Sequence, residues 1–169
     1  LEYVEDKKIQ MDRIKKGIEK IIPQLVQKFD IKRPEINAEI YRGAEGIKAV
    51  WEDMLGNGDI WWIGSGRYVP KMYPNFFASW NRRRIKLGLK LYTLIRLELK
   101  GKIKPFTLEH VKFLPDEFSG SPAVVGIYGN KVANFLYGKE MFAFVIDSNE
   151  IAYNYKLYHK YLWNNVAIA

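Results

Sequence analysis

Residues 60–66 read IWWIGSG, a short apolar run that begins at Ile60 and ends in small residues. Such a run is typical of a β-strand that is buried on both faces and followed by a loop at its carboxyl end. Strands of this kind lie inside parallel or mixed sheets that have helices on both sides. The stretch therefore predicts an α/β core organised around one central strand.

The segments on either side of this strand support the same fold class. Two apolar stripes with helical spacing flank it: Ile47, Val50, Trp51, Met54 and Leu55 before it, and Tyr73, Phe76, Phe77, Trp80 and Leu87 after it. Gly88 suits the C-cap of the second helix. Strand-like segments at 36–43 and 89–95 follow further out. Residues 36–95 therefore predict the order β-α-β-α-β, and function in such a core is expected in the loops at strand ends.

Composition places the chain among globular proteins. It has 169 residues, 48% of them hydrophobic and 27% charged, which favours one domain with a proper core. It contains no cysteine and only two histidines, so we expect no disulfide, no metal site and no cofactor. No apolar run reaches the roughly 18 residues of a membrane span, so a cytoplasmic protein without a membrane partner is expected. The net charge of +8 permits a polyanionic partner without requiring one.

The first 29 residues follow a different pattern from the rest. Apolar residues recur every seven positions, with a second seam three residues further on: Val4, Met11, Ile18 and Leu25, then Ile14 and Ile21. This a/d heptad pattern predicts a helix that pairs with a second helix, and hence a homodimer. The alternative is an ordinary amphipathic helix folded onto its own domain. Residues 30–34, DIKRP, are expected to form a linker, and Pro34 ends any helix there. We therefore expect a dimerising helix and linker over 1–33 and an α/β domain over 34–169.

The C-terminal half is rich in strand signals. A strand is expected at 110–114, a hairpin with the turn Gly129-Asn130 between 123–128 and 131–137, and a further strand at 141–146. Asp147 or Ser148 can cap a last helix. One stripe of that helix is formed by Ile151, Tyr155, Tyr158 and Leu162. We expect this helix to pack on the sheet that contains the hairpin.

Three short motifs invite a functional interpretation, and each has a structural alternative. Gly64-Ser65-Gly66 lacks the lysine of a Walker A loop and the third glycine of a dinucleotide site, so it is either an anion cradle or a plain turn. Arg82-Arg83-Arg84 forms a basic patch, but positive charge at a helix C-terminus is also favoured by the helix dipole. His110-Val111-Lys112 matches the start of the phospholipase D signature H-x-K-x₄-D, yet the acid position holds Glu117 in a loop.

Five segments resemble those of archaeal TrmB-type transcriptional regulators. They are IYRGAEGIK (40–48), IGSG (63–66), WNRRRIK (80–86), VKFLPDE (111–117) and VGIYGNKVA (125–133). The resemblance covers roughly 36–165, and 1–29 looks like the dimerising linker of that family. It implies a domain like half of a phospholipase D fold that serves as a regulatory, ligand-sensing and dimerisation module. DNA is then bound only by a winged-helix domain, which precedes the linker in that family and is absent from this sequence.

The resemblance also bears on catalysis. It implies that the phospholipase D signature would fall on the hairpin, with its acid at Asn130, its lysine at Val125 and its histidine at Ala123. None of these residues can attack phosphorus or hold phosphate charge. We therefore expect a protein that is not an enzyme, and regard His110-Val111-Lys112 as a coincidence.

The prediction is a regulatory domain that senses a small molecule. The candidate effector site is the loop after the central strand together with a second loop: Trp62, Gly64, Ser65, Gly66, Arg67, Tyr68, Ser119 and Ser121. Effector binding would reorient the paired linker helices and so change the spacing of two DNA-binding domains. Two alternatives remain, namely a phosphodiesterase or nuclease that uses His110 and Lys112, and an architectural dimer module without a ligand.

Overall fold

The computed structural model describes residues 37–118 and 122–169, together with Lys7, Met11, Lys15 and Glu19. The chain forms two compact units, Leu1–Glu35 and Ile36–Ala169. In the first unit, the four described residues are helical and Met11 is exposed. The other predicted seam residues, Val4, Ile14, Ile18, Ile21 and Leu25, lie outside the described residues, so the heptad seam stays a prediction.

The second unit is built on one sheet of seven strands. The strands are β1 Asn37–Arg42, β2 Ile60–Ser65, β3 Leu91–Arg96, β4 Glu109–Leu114, β5 Ala123–Tyr128, β6 Lys131–Tyr137 and β7 Met141–Asp147. Their order is β1-β7-β6-β5-β2-β3-β4. Strands β2, β3 and β4 run parallel, whereas all other neighbours are antiparallel. The predicted mixed sheet flanked by helices is therefore confirmed.

Three helices cover the front face of this sheet: α1 Gly43–Met54, α2 Tyr68–Met72 and α3 Pro74–Lys86. The predicted stripes of α1 and α3 meet the sheet in one aromatic cluster, in which the Trp80 indole donates to the carbonyl of Trp51 at 2.6 Å. The prediction is wrong at Leu87, which is the C-cap of α3 and is exposed, because the helix ends at Lys86 before the stripe reaches it. Gly88 follows α3 with φ of +71°, as expected of a C-cap glycine. The short helix α2 was not predicted, because five residues are too few to show a period.

One helix, α4 Asn149–Asn165, packs on the back face against β6, β5 and β2, as predicted. Ser148 is its N-cap, and its Oγ accepts from the backbone N–H of Ile151 at 3.3 Å. The predicted stripe is wrong at Tyr158, which is exposed, while Ala152 and His159 are buried. Within the described residues, the helices fall short of the length and apolar character that a bilayer requires.

The central strand departs from the prediction in one respect. Residues Ile60 and Trp62 face the front and are buried, but Trp61 and Ile63 on the back are only half-buried. The expectation of two fully buried faces was therefore wrong. The reason is that a single helix covers the back face and leaves space beside it. Strand β1 lies at the far edge of the sheet, paired with β7, a neighbour that its own segment could not indicate.

Candidate functional site

The loop after β2 folds back over the front face of the sheet. Gly64 adopts φ of +76°, and the pairing with β3 shifts register between Ile63 and Ser65. A Cβ on Gly66 would stand 2.5 Å from the ring of Tyr68, so only glycine fits there. Both glycines thus have structural reasons to be present. The turn interpretation of this motif accounts for them without an anion.

Arg67 is held in an unusual position by this loop. Its φ of 60° lies in the left-handed region, which is uncommon for a residue with a side chain. Its guanidinium donates two hydrogen bonds to Glu109, with Nη1–Oε1 at 2.9 Å and Nη2–Oε2 at 2.7 Å. Glu109 is the first residue of β4, and its side chain is fully buried. The loop is therefore anchored to the start of another strand by a desolvated ion pair.

The Glu109 carboxylate is fully satisfied by its surroundings. It also accepts from the Thr93 hydroxyl at 2.7 Å and from the backbone N–H of Phe106 at 2.9 Å. The Arg67 guanidinium lies 4.1 Å from the centre of the Phe106 ring. Four donors and a stacked ring compensate for the burial of this charge, which would otherwise be unfavourable. The arrangement holds one loop geometry in place.

A second arginine stands beside the first. Arg96 donates from Nη1 to the Tyr68 hydroxyl at 2.6 Å and pairs with Glu98. The Tyr68 ring stacks on Tyr137 at 4.6 Å, and burial raises the pKa of Tyr137 above its ordinary value. The Nε atoms of Arg67 and Arg96 are buried and have no hydrogen-bond partner among the described residues. Buried donors without partners are rare in folded proteins, so an acceptor from water or a ligand is expected here.

The space around these groups has two parts. An inner cavity of about 30 Å³ has room for water only, and four predicted residues help to line it: Trp62, Ser65, Arg67 and Tyr68. On the other side of Arg67 lies an open groove of about 320 Å³, lined by Arg67, Pro70, Lys71, Ile103, Lys104 and Phe106. Arg67, Pro70 and Phe106 line both spaces and therefore separate the inner cavity from the open groove.

Sequence reasoning found only half of this site. Gly64 and Gly66 shape the loop, and Ser119 and Ser121 lie outside the described residues. Reasoning from sequence missed Glu109, Thr93, Phe106, Lys71 and Lys104. The only available signal was a carboxylate directly before an apolar strand, and nothing in the sequence connects Glu109 with a residue 42 positions earlier.

The His110-Val111-Lys112 motif lies elsewhere, on the back face of β4. His110 is exposed and stacks on Tyr92 at 5.2 Å. The Lys112 ammonium donates to the carbonyl of Trp163 at 2.8 Å, near the end of α4. The lysine is therefore already bound to backbone. In the part of the chain that the structure describes, no three His, Asp or Glu side chains come close enough to hold a metal ion.

The three arginines of the basic patch 82–84 lie in different environments, and two of them make structural contacts. Arg83 forms a two-bonded ion pair with Glu52, at 2.6 and 2.7 Å. Arg84 is fully buried, and its guanidinium donates to the carbonyls of Leu89 and Thr107. Of the three arginines, Arg82 alone has neither burial nor a recorded ion pair among the described residues. This geometry does not form a continuous surface for DNA.

Comparison with known proteins finds the fold and no closer relationship. No protein-family model and no curated protein matches this chain. Among solved structures it is similar to TrmBL2, an archaeal chromatin protein whose structure shows a novel mode of DNA binding. The identity is 13%, the TM-score is 0.55, and the match covers 99% of this chain and 68% of that one.

Two further solved structures are similar to this chain. NucT from Helicobacter pylori is 11% identical with a TM-score of 0.56, over 80% of this chain and 100% of that one. Nuc from Salmonella typhimurium, a phospholipase D family member, is 13% identical with a TM-score of 0.47, over 78% and 97%. At these identities the likeness concerns the fold alone. Membership of the TrmB-type regulators stays a prediction.

Proposed function

We propose that this chain is a non-catalytic regulatory domain of a DNA-associated protein of the TrmB type. The observation that carries the proposal lies on the hairpin of β5 and β6. Where the phospholipase D signature would fall, the chain has Ala123, Val125 and Asn130. None of these offers a nucleophile or a phosphate-binding cation. Similarity in fold to TrmBL2, whose structure shows a novel mode of DNA binding, supports a DNA-associated role.

In this proposal the effector binds at the open groove beside Arg67. Lys71 and Lys104 line the groove and are exposed, so the groove favours a small anion. An acceptor that reached the Nε of Arg67, which has no hydrogen-bond partner among the described residues, would satisfy a buried donor. Because Arg67 belongs to the loop that connects β2 to α2, occupancy would act on that loop. Signal transfer to a paired N-terminal helix completes the regulatory model.

Dimerisation through residues 1–29 is the part of the model to test first. Light scattering on the intact chain should give twice the monomer mass, and the double variant Met11→Lys, Ile18→Lys should give the monomer mass. The control Lys15→Glu, Glu19→Lys exchanges two exposed charges of the same segment and should remain dimeric. A wild-type monomer at micromolar concentration would end the regulatory model. A dimer that survives the apolar-to-lysine changes would move the interface to the α/β unit.

A thermal-shift screen tests whether an effector exists. Sugars, amino acids and their phosphorylated forms are compared, since a ligand that binds only the folded chain raises its melting temperature. Under the proposal an anionic compound raises it, and Lys104→Glu abolishes that shift while Lys86→Glu, an exposed lysine on α3, preserves it. No response from any compound favours the architectural dimer module.

The phosphodiesterase alternative is tested directly by hydrolysis of a generic phosphodiester. The proposal expects background rates in both the wild type and His110→Ala. Activity that disappears in His110→Ala would establish the alternative and overturn the non-catalytic assignment.

A further inference from the structure

The two edges of the sheet differ in what lies beside them. At one edge, β4 forms an antiparallel bridge with the C-terminal residues: the Phe113 N–H donates to the carbonyl of Ile168 at 2.8 Å, and the Ile168 N–H donates back at 2.9 Å. At the other edge lies β1, and in the part of the chain that the structure describes its only neighbouring strand is β7. An open strand edge presents a row of backbone donors and acceptors. A further strand can therefore be added beside β1.

Strand β1 lacks the devices that usually protect an open edge. Its sequence, NAEIYR, contains neither proline nor lysine, and its pairing with β7 runs from Asn37 to Arg42 without a bulge. All of its residues except Tyr41 are exposed. Tyr41 packs against the front cluster and donates from its hydroxyl to Glu39. The edge is therefore regular in its pairing and anchored to the core.

The back face of the sheet is apolar next to this edge. Side chains alternate along a strand, so Ile40 faces the back, where it pairs with Phe144 of β7. Ile40 is 65% exposed and Phe144 is 39% exposed. Phe142 and Leu136, which pair with each other on the same face, are half-buried. Helix α4 packs mainly on β6, β5 and β2 and leaves this apolar end of the sheet open to a partner.

The charges of β1 are compatible with a second copy of the same strand. When two identical strands pair antiparallel about a two-fold axis, one residue lies opposite itself. An axis at Ile40 places Glu39 opposite Tyr41 of the second copy and Arg42 opposite Ala38, so no two like charges stand directly opposite each other. An axis at Glu39 would oppose two carboxylates, and an axis at Tyr41 would pair only residues 40–42. The register centred on Ile40 is therefore the favoured one.

We infer that β1 pairs antiparallel with β1 of a second copy of this chain, centred on Ile40, so that two sheets join into one. Phe144 and Ile40 of each copy then form one continuous apolar row across the junction. The inference rests on the proposed dimer. A strand pair over 38–42 buries less surface than the roughly 1,200 Å² of a stable interface, so it requires chains that are already held together.

The length of the chain before β1 permits this arrangement. Residues 30–36 separate the predicted pairing helix from β1, and a stretch of that length reaches at most about 23–25 Å. In the register centred on Ile40, the two copies of Asn37 lie on opposite sides of the axis, about 20 Å apart. Two helices paired over 1–29 can therefore be connected to both β1 strands of one dimer.

Disulfide trapping tests the inference, because the chain contains no cysteine of its own. Residues directly opposite each other in an antiparallel pair have Cα atoms about 4.5–5.5 Å apart, which is within the range of a disulfide. Mild oxidation of the intact Ile40→Cys chain at micromolar concentration should form covalent dimers at least tenfold faster than that of Leu87→Cys. Leu87 is the matched control, since it is 57% exposed and lies beside β3, four strands away from β1. Mass measurement without reductant counts the dimers.

A second cysteine position tests the register. Glu39→Cys should also crosslink at least tenfold more slowly than Ile40→Cys, because its counterpart would lie on the diagonal, about 7–8 Å away. Faster crosslinking at position 39 than at position 40 would overturn the register.

A charge at the axis should weaken the dimer without a crosslink. Ile40→Lys places two ammonium groups opposite each other, so the dissociation constant measured by light scattering on dilution should rise at least tenfold. Leu87→Lys makes the same change in net charge and should leave the constant unchanged. Melting curves of each variant confirm that it is folded. Equal dissociation constants in the two lysine variants would overturn the inference.

The crosslinking results separate this inference from the helix pairing on which it rests. Equal rates for Ile40→Cys and Leu87→Cys in a chain that is dimeric overturn the strand pairing and leave the helix pairing intact. Fast crosslinking of Ile40→Cys that persists in the Met11→Lys, Ile18→Lys background upholds the strand pairing and assigns the failure to the helix seam. Slow hydrogen exchange along β1 without crosslinking would mean that another segment covers the edge, which also overturns the inference.

Discussion

The front and back faces of the sheet use charge in opposite ways. On the front, Arg67 and Glu109 neutralise each other in a buried network, and the cavity behind them holds about 30 Å³. On the back, Lys156 and Lys160 line an open space of about 320 Å³, and none of the ion pairs among the described residues includes either lysine. The first arrangement holds a loop in place, whereas the second leaves two lysines beside an open space. A basic composition alone cannot distinguish the two uses.

The largest expected loss of stability comes from disrupting the hydrogen bonds that the Glu109 carboxylate accepts on the front face. Glu109→Gln leaves the Arg67 guanidinium buried without its counter-charge, so the free energy of unfolding should fall by about 3–5 kcal/mol. Glu52→Gln is the matched control, since Glu52 also accepts two bonds from one arginine but is half-exposed, and it should cost at most about 1 kcal/mol. Urea denaturation measures both. Equal losses would contradict the assignment of Arg67 and Glu109 as a desolvated ion pair that differs from the half-exposed pair of Arg83 and Glu52.

A smaller loss of stability is expected at acidic pH, and it comes from His159 on the back face of the sheet. Because it is buried, His159 has a folded-state pKa of about 4 against an ordinary value of 6.5, so below pH 6.5 the unfolded chain binds more protons. Stability should therefore fall as the pH drops from 6.5 to 4, by about 3 kcal/mol from this group at 1.36 kcal/mol per pH unit.

Denaturation curves at several pH values measure this dependence. His159→Gln should flatten it, since glutamine can still donate to the Tyr92 carbonyl, which lies 3.0 Å from the His159 Nε2, but does not titrate. His110→Gln, which replaces the exposed ring stacked on Tyr92, should keep the wild-type dependence. A wild-type slope retained in His159→Gln would assign the acid sensitivity to carboxylates instead.

The smallest effect concerns the start of α4, the helix that packs on the back face. Ser148→Ala removes the side-chain acceptor for the N–H of Ile151, so about 1 kcal/mol of stability should be lost. Ser148→Asn supplies another capping oxygen and should recover most of it. Chemical denaturation of the wild type and of the two Ser148 variants measures the differences in the free energy of unfolding. No difference between alanine and serine would mean that packing alone positions α4.

Most of the fold could be predicted from local sequence patterns. The helical stripes of α1 and α3, the hairpin at Gly129-Asn130 and the cap at Ser148 were predicted because each depends on residues close together in sequence. The partial failures share one cause. The exposure of Tyr158 and the half-buried back of β2 depend on how much of the sheet a single helix covers, which no local period records.

The candidate sites divide in the same way. An α/β chain without cysteine and a glycine loop after its central strand could be predicted from the sequence alone. The pairing of Arg67 with Glu109, and the placement of Lys156 over Trp61, are features of the folded chain that no local pattern predicts. Pairings between residues 42 or more positions apart are set by strand order and helix placement. Strand order and helix placement depend on the packing of the whole chain, because burial of apolar side chains determines which faces of the helices and the sheet contact each other. Charged side chains near these contacts then either pair with an opposite charge or stay exposed to solvent.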